Sequence, residues 1–522
     1  MNRSSGRVRF GVGAIVAIAA VVLLMPLPVA GSLSHVASSA TTATKAGALG
    51  ERGHATDLRP DSRGRFVAGP VRSVNVAKLP QVAASTPSST IPPAPHVTAA
   101  AVHPTSPQLI GEFAGANQSA SGGYYPPDTQ VAMSGTDVFE LDNEFGKITS
   151  TNGRTVYHSF TTQSFFGTNV TDSVAAVQVM YDNTTHRWFV SADDFTTNVI
   201  HLAVSKTGSA TGTYYSYTYS AYFPISLFGA QFSDQPTLGE SAKIVGISVN
   251  QFNATTSAFL GSEVVVFTKY QLETGSIFGV PIDFQYVMSI HPARSITTNG
   301  SGTDTLYLAS TNVSGGATTL FEWAVTGLFS NFHLRSFAYA IANTGSVPGG
   351  LQAGTTSTVN TGDDRVQSVS WSNAGVLWVA FTTACSPAGD GTVRSCIRVD
   401  AIYTPTNVLL QDTDTAVAGM YLYYGAITAV PGFAGYLMVL GESGAATYPS
   451  IALTGQNISD SYGTYRGPVP AVTGTSYDIS GRFGDYSGIQ LQPTASKYTA
   501  WGASEIDTSS GWATEVVKFA FY

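Results

Sequence analysis

The stretch "GRFGDYSGIQLQPTASKYTAWGASEI", residues 481 to 506, reads as an Asp-bearing loop, a short apolar strand, a Pro-marked turn and a second strand carrying Trp501. Its wording returns along the chain: "PPDTQVAM" at Asp128, "YDNTTHRWFVSA" at Asp182, "FSDQPTLGES" at Asp234, "TDTLYLAS" at Asp304 and "GDDRVQSVSW" at Asp364. Each copy sets an Asp in a polar loop just ahead of an alternating, aromatic-rich strand. The steps from Asp182 to Asp234 (52 residues), Asp304 to Asp364 (60) and Asp364 to Asp485 (121, two units) define one repeated module. A period of roughly 40 to 60 residues with several short strands in each predicts an all-β fold, a β-propeller.

Outward from these copies, nearly every segment after Leu109 is strand-like. "RWFVSADD", "KIVGISVNQF", "EVVVFTK", "VLWVAFTT" and "EVVKFAFY" are rich in β-branched and aromatic residues and many alternate at period two. Asn152-Gly153, Pro236, Asn299-Gly300, Gly315-Gly316 and Gly349-Gly350 supply the turn chemistry. No amphipathic helical run exceeds about ten residues. Seven sectors begin near Asp128, Val174, Asp234, Asp304, Asp364, Ala416 and Asp485; six with a long insertion at 260–300 is the alternative count. The first sector holds four strands within Gln130 to Thr162, whereas the last shows three, ending at Phe521-Tyr522. "QLIGEFAG" (Gln108 to Gly115) is the available fourth strand, so an N-terminal strand is expected to close the ring and leave no open sheet edge.

Ahead of the repeats lie two segments of other character. Arg3, Arg7 and Arg9 precede the apolar run Phe10 to Met25, and Val29-Ala30-Gly31 offers a small-residue cleavage site. Residues 1–31 therefore read as a signal peptide or, uncleaved, as an N-terminal anchor, the chain's one route to a membrane. Residues 32–106 are rich in Ala, Ser, Thr, Pro and Val, with the Pro-spaced "STPSSTIPPAPHVTAAAVHPTSP", and read as a disordered stalk or pro-region. Residues 107–522 form the propeller. Across the 522 residues charged side chains make up 11%, low against a typical figure of about 25%. The net charge of −8, with no basic run after the N-terminus, excludes a nucleic-acid partner.

"GDDRVQSVSWSNAGVLWVAFTTACSP", "ATYPSIAL" and "RFGDYSGI" resemble a large group of secreted bacterial and archaeal propellers, similar in fold to the sialidases, whose last motif usually reads Arg-Trp-Gly-Asp-Tyr-Ser-Gly. The resemblance runs from about Gly122 to the C-terminus and implies fold and export rather than chemistry. Here Phe483 stands where that motif has Trp, and Gln492-Pro493 where Asp-Pro often follows.

The candidate site residues follow from the repeat. Asp128, Asp234, Asp364 and Asp485 enter the first strand of their sectors, so a propeller gathers them at one end of its central channel. Such a ring holds either a hard cation, with Ca2+ the natural choice, or backbone N–H groups that pin each loop. No cofactor is required on either reading. Arg482 shares the last loop with Asp485, and Tyr124 and Tyr125 are loop-borne aromatics suited to an exposed contact. A sialidase-like reaction needs converging Arg residues, and Arg154, Arg187, Arg294, Arg365 and Arg482 are spread over different sectors. The box Ser-x-Asp-x-Gly-x-Thr-Trp is intact nowhere. No metal-binding His spacing and no Gly-x-Ser-x-Gly elbow occurs. Cys385 and Cys396, the two cysteines, are expected to form a disulfide closing one Gly-rich loop. Asn117, Asn169, Asn183, Asn253, Asn299, Asn312 and Asn457 begin glycosylation sequons.

These residues suit a secreted or cell-surface binding or scaffold module for a glycan or a protein. The alternative is a secreted glycoside hydrolase of sialidase-like fold that uses carboxylates at the channel mouth.

Overall fold

The computed structural model describes residues 56–58, 67–68, 70–79, 81 and 106–521, apart from 224, 297–301, 313, 328–330, 433–434 and 493–497. The signal or anchor segment 1–31, the sequon at Asn299, Gly300 and Pro493 lie outside these residues.

The described chain is all-β. Its three α-helices, Thr162–Phe166, Ile225–Phe228 and Lys269–Glu273, are single turns between strands. The strand-like sequence runs fold into successive antiparallel meanders of four strands. The first is Gln130–Met133, Asp137–Asp142, Phe145–Ser150 and Val156–Thr161, in sequence order. The opening strands of the meanders are Gln130–Met133, Val174–Asp182, Gln231–Glu240, His291–Pro292, Val366–Ser372, Met420–Ala429 and Gly488–Leu491. Each packs against the next, and Gly488–Leu491 returns to Gln130–Met133, so they form a closed inner ring. That ring, with four-stranded meanders radiating from it, is a β-propeller. The return contact is close: a Cβ on Gly488 would lie 2.3 Å from the Val131 nitrogen, so only glycine lets the two inner strands meet there.

The last meander comprises Gly488–Leu491, Thr499–Thr508 and Gly511–Ala520, and Gly511–Ala520 pairs antiparallel with Gln108–Asn117. The hydrogen-bonded sheets number six, fewer than the sectors counted in the sequence. Arg294–Ile296 causes the merger. It runs parallel between Gln231–Glu240 and Val366–Ser372, joining two meanders into one nine-stranded sheet.

The fourth meander also corrects the sequence reading. It opens at His291–Pro292, not near Asp304, which lies just before its second strand, Leu306–Thr311. The two-residue inner strand carries no alternation for a pattern to detect. A second difference lies in 32–106, read as spacer. There Thr56–Leu58 adds to the edge strand His333–Ala340, while Val67–Ala68 and Arg72–Asn75 add to Thr213–Ser220.

The core lies between neighbouring sheets. Strands covered on both faces carry apolar side chains toward both neighbouring sheets, and the largest buried aromatics fill those interfaces. Trp378 packs tilted against Tyr436 of the next meander, 4.9 Å between ring centroids, and Phe139 lies 5.8 Å from Trp188. Cys385 and Cys396 form the expected disulfide, with Cα atoms 5.9 Å apart, across the strands Val376–Cys385 and Arg394–Tyr403. No helix among the described residues is long and apolar enough to cross a membrane.

Candidate functional site at the channel mouth

The entry ends of the inner strands carry a recurrent distortion. Asp128, Ala176, Gln235, Ser289 and Tyr424 all adopt left-handed backbone, with φ between 50° and 54°. Ala176, Gln235 and Tyr424 lie where the ladder register slips. Non-glycine residues rarely take this conformation, which re-aims the chain at the rim of a sheet. Polar side chains from the preceding meander hold it in place. Asn143 donates to Asp128 Oδ2 (2.8 Å) and accepts from the Ala176 N–H (2.7 Å). Asn198 accepts from Ser233 N–H (3.1 Å), Asn250 from Ser289 N–H (2.9 Å), and Thr382 from Tyr424 N–H (3.3 Å). Thr311 donates to the Asp364 carbonyl (3.1 Å). At five interfaces one polar residue thus latches one blade to the entry of the next.

Inside this rim the predicted residues partly converge. The Asp485 backbone N–H donates to Asp128 Oδ1 at 2.8 Å, tying the last inner strand to the first. Arg482 Nη2 lies 3.1 Å from Asp485 Oδ2, and the Tyr424 hydroxyl donates to Asp485 Oδ1 at 3.3 Å and to Asn360 at 3.4 Å. Arg365 clasps Asp363 at 2.7 and 2.9 Å and donates to Gln235 Oε1 at 3.0 Å. Asp234 joins through its field: Asp485, Arg365 and Arg482 all act on it.

Electrostatics separates these carboxyls. Burial, then the Asp485 charge, pushes Asp128 up to about 7. Burial raises Asp234 to about 6 against the pull of a backbone N–H and both guanidinium groups. The Arg365 guanidinium is held charged by Asp363 and Asp485, more than offsetting its burial. At mildly acidic pH the mouth therefore combines protonated Asp128 and Asp234, which can donate, with charged Arg365 and Arg482.

Asp364 is not part of this group. It is fully buried and accepts from the N–H groups of Gly315 (2.5 Å), Gly316 (2.9 Å) and Ala317 (3.0 Å) and from the Thr344 hydroxyl. It fixes a loop of the neighbouring blade, and Asp363 takes the place at the mouth. Tyr124 and Tyr125, 58% and 55% exposed, lie on the rim loop that leads through Pro126 and Pro127 into Asp128. Of the five Arg residues singled out, only Arg365 and Arg482 reach the mouth. Arg294 lies in the channel, donating to the Ile489 carbonyl, Gln130 and Gln178. Arg187 bonds nearby carbonyls, and Arg154 is exposed.

Gln235, Tyr424 and Asn360 carry no sequence signal of their own. A register slip beside Tyr424 and Gln235 was the one feature that marked them, and only the folded ladder displays it. Among the described residues, no group of three or more His, Cys, Asp or Glu side chains is arranged to hold a metal ion. The mouth carboxylates face N–H donors and guanidinium groups.

No protein-family model matches the chain, and no curated protein sequence matches it. Solved structures with a similar fold include the Dos1 propeller (TM-score 0.35, 10% identity, over 74% of this chain and 75% of that one). Kluyveromyces lactis Hsv2 aligns with TM-score 0.33 and 9% identity over 74% of this chain and 96% of its own. Trypanosoma rangeli sialidase aligns with TM-score 0.33 and 10% identity over 79% of this chain and 60% of its own. The neighbours thus span propellers and sialidases, and at these scores they say nothing of chemistry.

Proposed function

We propose that the protein is an exported β-propeller that binds an extracellular glycan or protein at the channel mouth. Gln108–Asn117 is read as the strand that completes the last blade. Residues 1–31 direct export, 32–106 link the propeller to its attachment point, and the protein works secreted or at the cell surface. The Cys385–Cys396 disulfide supports an oxidising destination.

One observation carries the binding role. Side chains from inner strands and their entry loops — Asp128, Asp234, Arg365, Tyr424, Arg482 and Asp485 — gather at one end of a rigid ring, Asp128 and Tyr424 buried and the others half-buried. Fixed donors and acceptors bordered by the exposed Tyr124 and Tyr125 suit a polyhydroxylated or peptide ligand. The test is glycan-array binding by the full chain, with and without EDTA, alongside turnover assays on the same glycans. Binding without sugar release, lost in Arg482→Ala, supports this role. Binding indifferent to Arg482→Ala and Asp485→Asn removes it.

The second reading, a glycoside hydrolase, is favoured by the Asp128 carboxyl raised to about 7 beside Asp485, an acid next to a carboxylate. Release of free sugar, abolished by Asp128→Asn, would establish it.

A further inference from the structure

Seventeen Asp and Glu residues are buried in the described chain, against three Lys and Arg: Lys147, Lys269 and Arg398. Some carboxyls have guanidinium or ammonium partners, as Asp182 and Glu240 have Lys269 at 2.7 and 2.6 Å. Others face one another. Glu263, 0% exposed, is the direct cross-strand neighbour of Asp283, and neither of its carboxylate oxygens has a hydrogen-bond partner. Its other strand neighbour is Val249, and the ionisable group reaching it from the adjacent blade is Tyr219. Asp400, also 0% exposed, lies directly across from Asp412 on one side and Val379 on the other. The single cation there, Arg398, is taken by Asp412 (2.6 Å) and Asp414 (2.5 Å). Opposed like charges destabilise a ladder, and an ionised carboxylate without donors is costly to bury.

We propose that this propeller is built for an acidic medium: its buried carboxyl pairs hold protons in the folded state, and the fold weakens as they are drawn off. Protonation of one member of each pair removes one of the two opposed charges, and the repulsion disappears. The inference does not depend on the ligand at the mouth.

The direction of the pH dependence follows. Burial, then Asp283, lifts Glu263 well above the ordinary carboxyl range; burial, then Asp412, does so for Asp400. Asp507, facing Asp478, Glu505 and Tyr423, and Glu515, facing Glu112, Glu140 and Lys147, are both raised to about 8. Burial raises Glu322 and Glu442 to about 7. Carboxyls that bind protons more tightly when folded contribute fully below their unfolded pKa of about 4, and this contribution is lost as pH rises through 7 to 8. Asp182, Asp194, Asp390 and Asp460, held low by Lys269, His201, Arg394 and Arg466 respectively, act in the opposite sense, as does His291, which burial lowers to about 4, but they are fewer.

Thermal unfolding of the full chain between pH 4 and pH 8 tests the proposal. The melting temperature should be highest near pH 4 and fall by at least about 5 °C toward pH 8. Glu263→Gln and Asp400→Asn should flatten that slope, raising the melting temperature at pH 8 by about 2 °C each. A melting temperature flat or rising over this range, or variants that keep the wild-type slope, overturns the proposal. If neither variant folds, infrared spectroscopy of the wild type decides: a protonated-carboxyl band persisting at pH 6 supports the proposal, and its absence contradicts it.

Discussion

Asp363 and Asp364 stand side by side in "GDDRVQ", and only one reaches the mouth. Successive residues of an extended chain point to opposite sides, so one carboxylate clasps Arg365 while the other turns into the neighbouring loop. The sequence marks the pair but not which member faces inward, because that depends on where the strand begins. Asp364 accepts three backbone N–H groups and a hydroxyl in a buried setting. Asp364→Ala strands those donors and is expected to cost about 3 kcal/mol or more, read by urea denaturation, while leaving ligand affinity unchanged in the folded fraction. Phe483 has a similar lesson. Its buried ring lies 5.1 Å from Tyr423 and 6.2 Å, stacked, from Tyr424. Phe483→Ala should lower stability by about 3 to 5 kcal/mol and loosen Tyr424 at the mouth.

At the scale of elements, alternation and turn chemistry made the strands legible, and two cysteines in one loop made the disulfide legible. Replacing Cys385 and Cys396 by Ser should cost about 3 kcal/mol, measured under non-reducing conditions against the wild type. What remained unreadable is the set of latches between blades. Asn143, Asn198, Asn250, Thr311 and Thr382 have no common spacing and no common residue type. They share only a position after folding, near the mouth-side end of a second strand. Asn143 serves three groups at once: the Pro126 carbonyl, Asp128 and the Ala176 N–H. Asn143→Ala should therefore reduce stability by about 2 to 3 kcal/mol and also weaken ligand binding, whereas Asp364→Ala should do only the former. Comparing the two variants in one binding assay separates a latch that shapes the mouth from one that does not.

The propeller closes as a ring because each sheet must cover an apolar face on both sides, and closing the circle covers them all. The repeat of Asp-loop and strand reported that ring. Its count drifted at the fourth blade, where His291–Pro292 is too short to show a period and Arg294–Ile296 stitches two sheets into one. The site was half legible for a related reason: three predicted Asp residues, Arg365 and Arg482 converge, while Tyr424 and Gln235 enter through backbone distortions that sequence does not encode locally. The charge balance also belongs to this scale. A chain with 33 acidic residues and 25 basic ones buries mainly the acidic kind, which ties fold stability and mouth chemistry to the same pH range.

Calorimetric titration of an array-identified glycan into the full chain at pH 5 and pH 8, for the wild type and Arg482→Ala, tests the mouth as the binding site most directly. Asp128 and Asp234 titrate at about 7 and about 6, so both change from donors to charged acceptors across that interval. The account predicts affinity for a neutral glycan at least about tenfold weaker at pH 8, and a similar loss in Arg482→Ala at pH 5, each near 1.4 kcal/mol. Affinity indifferent to both the pH and the substitution would place binding elsewhere on the propeller and contradict the account.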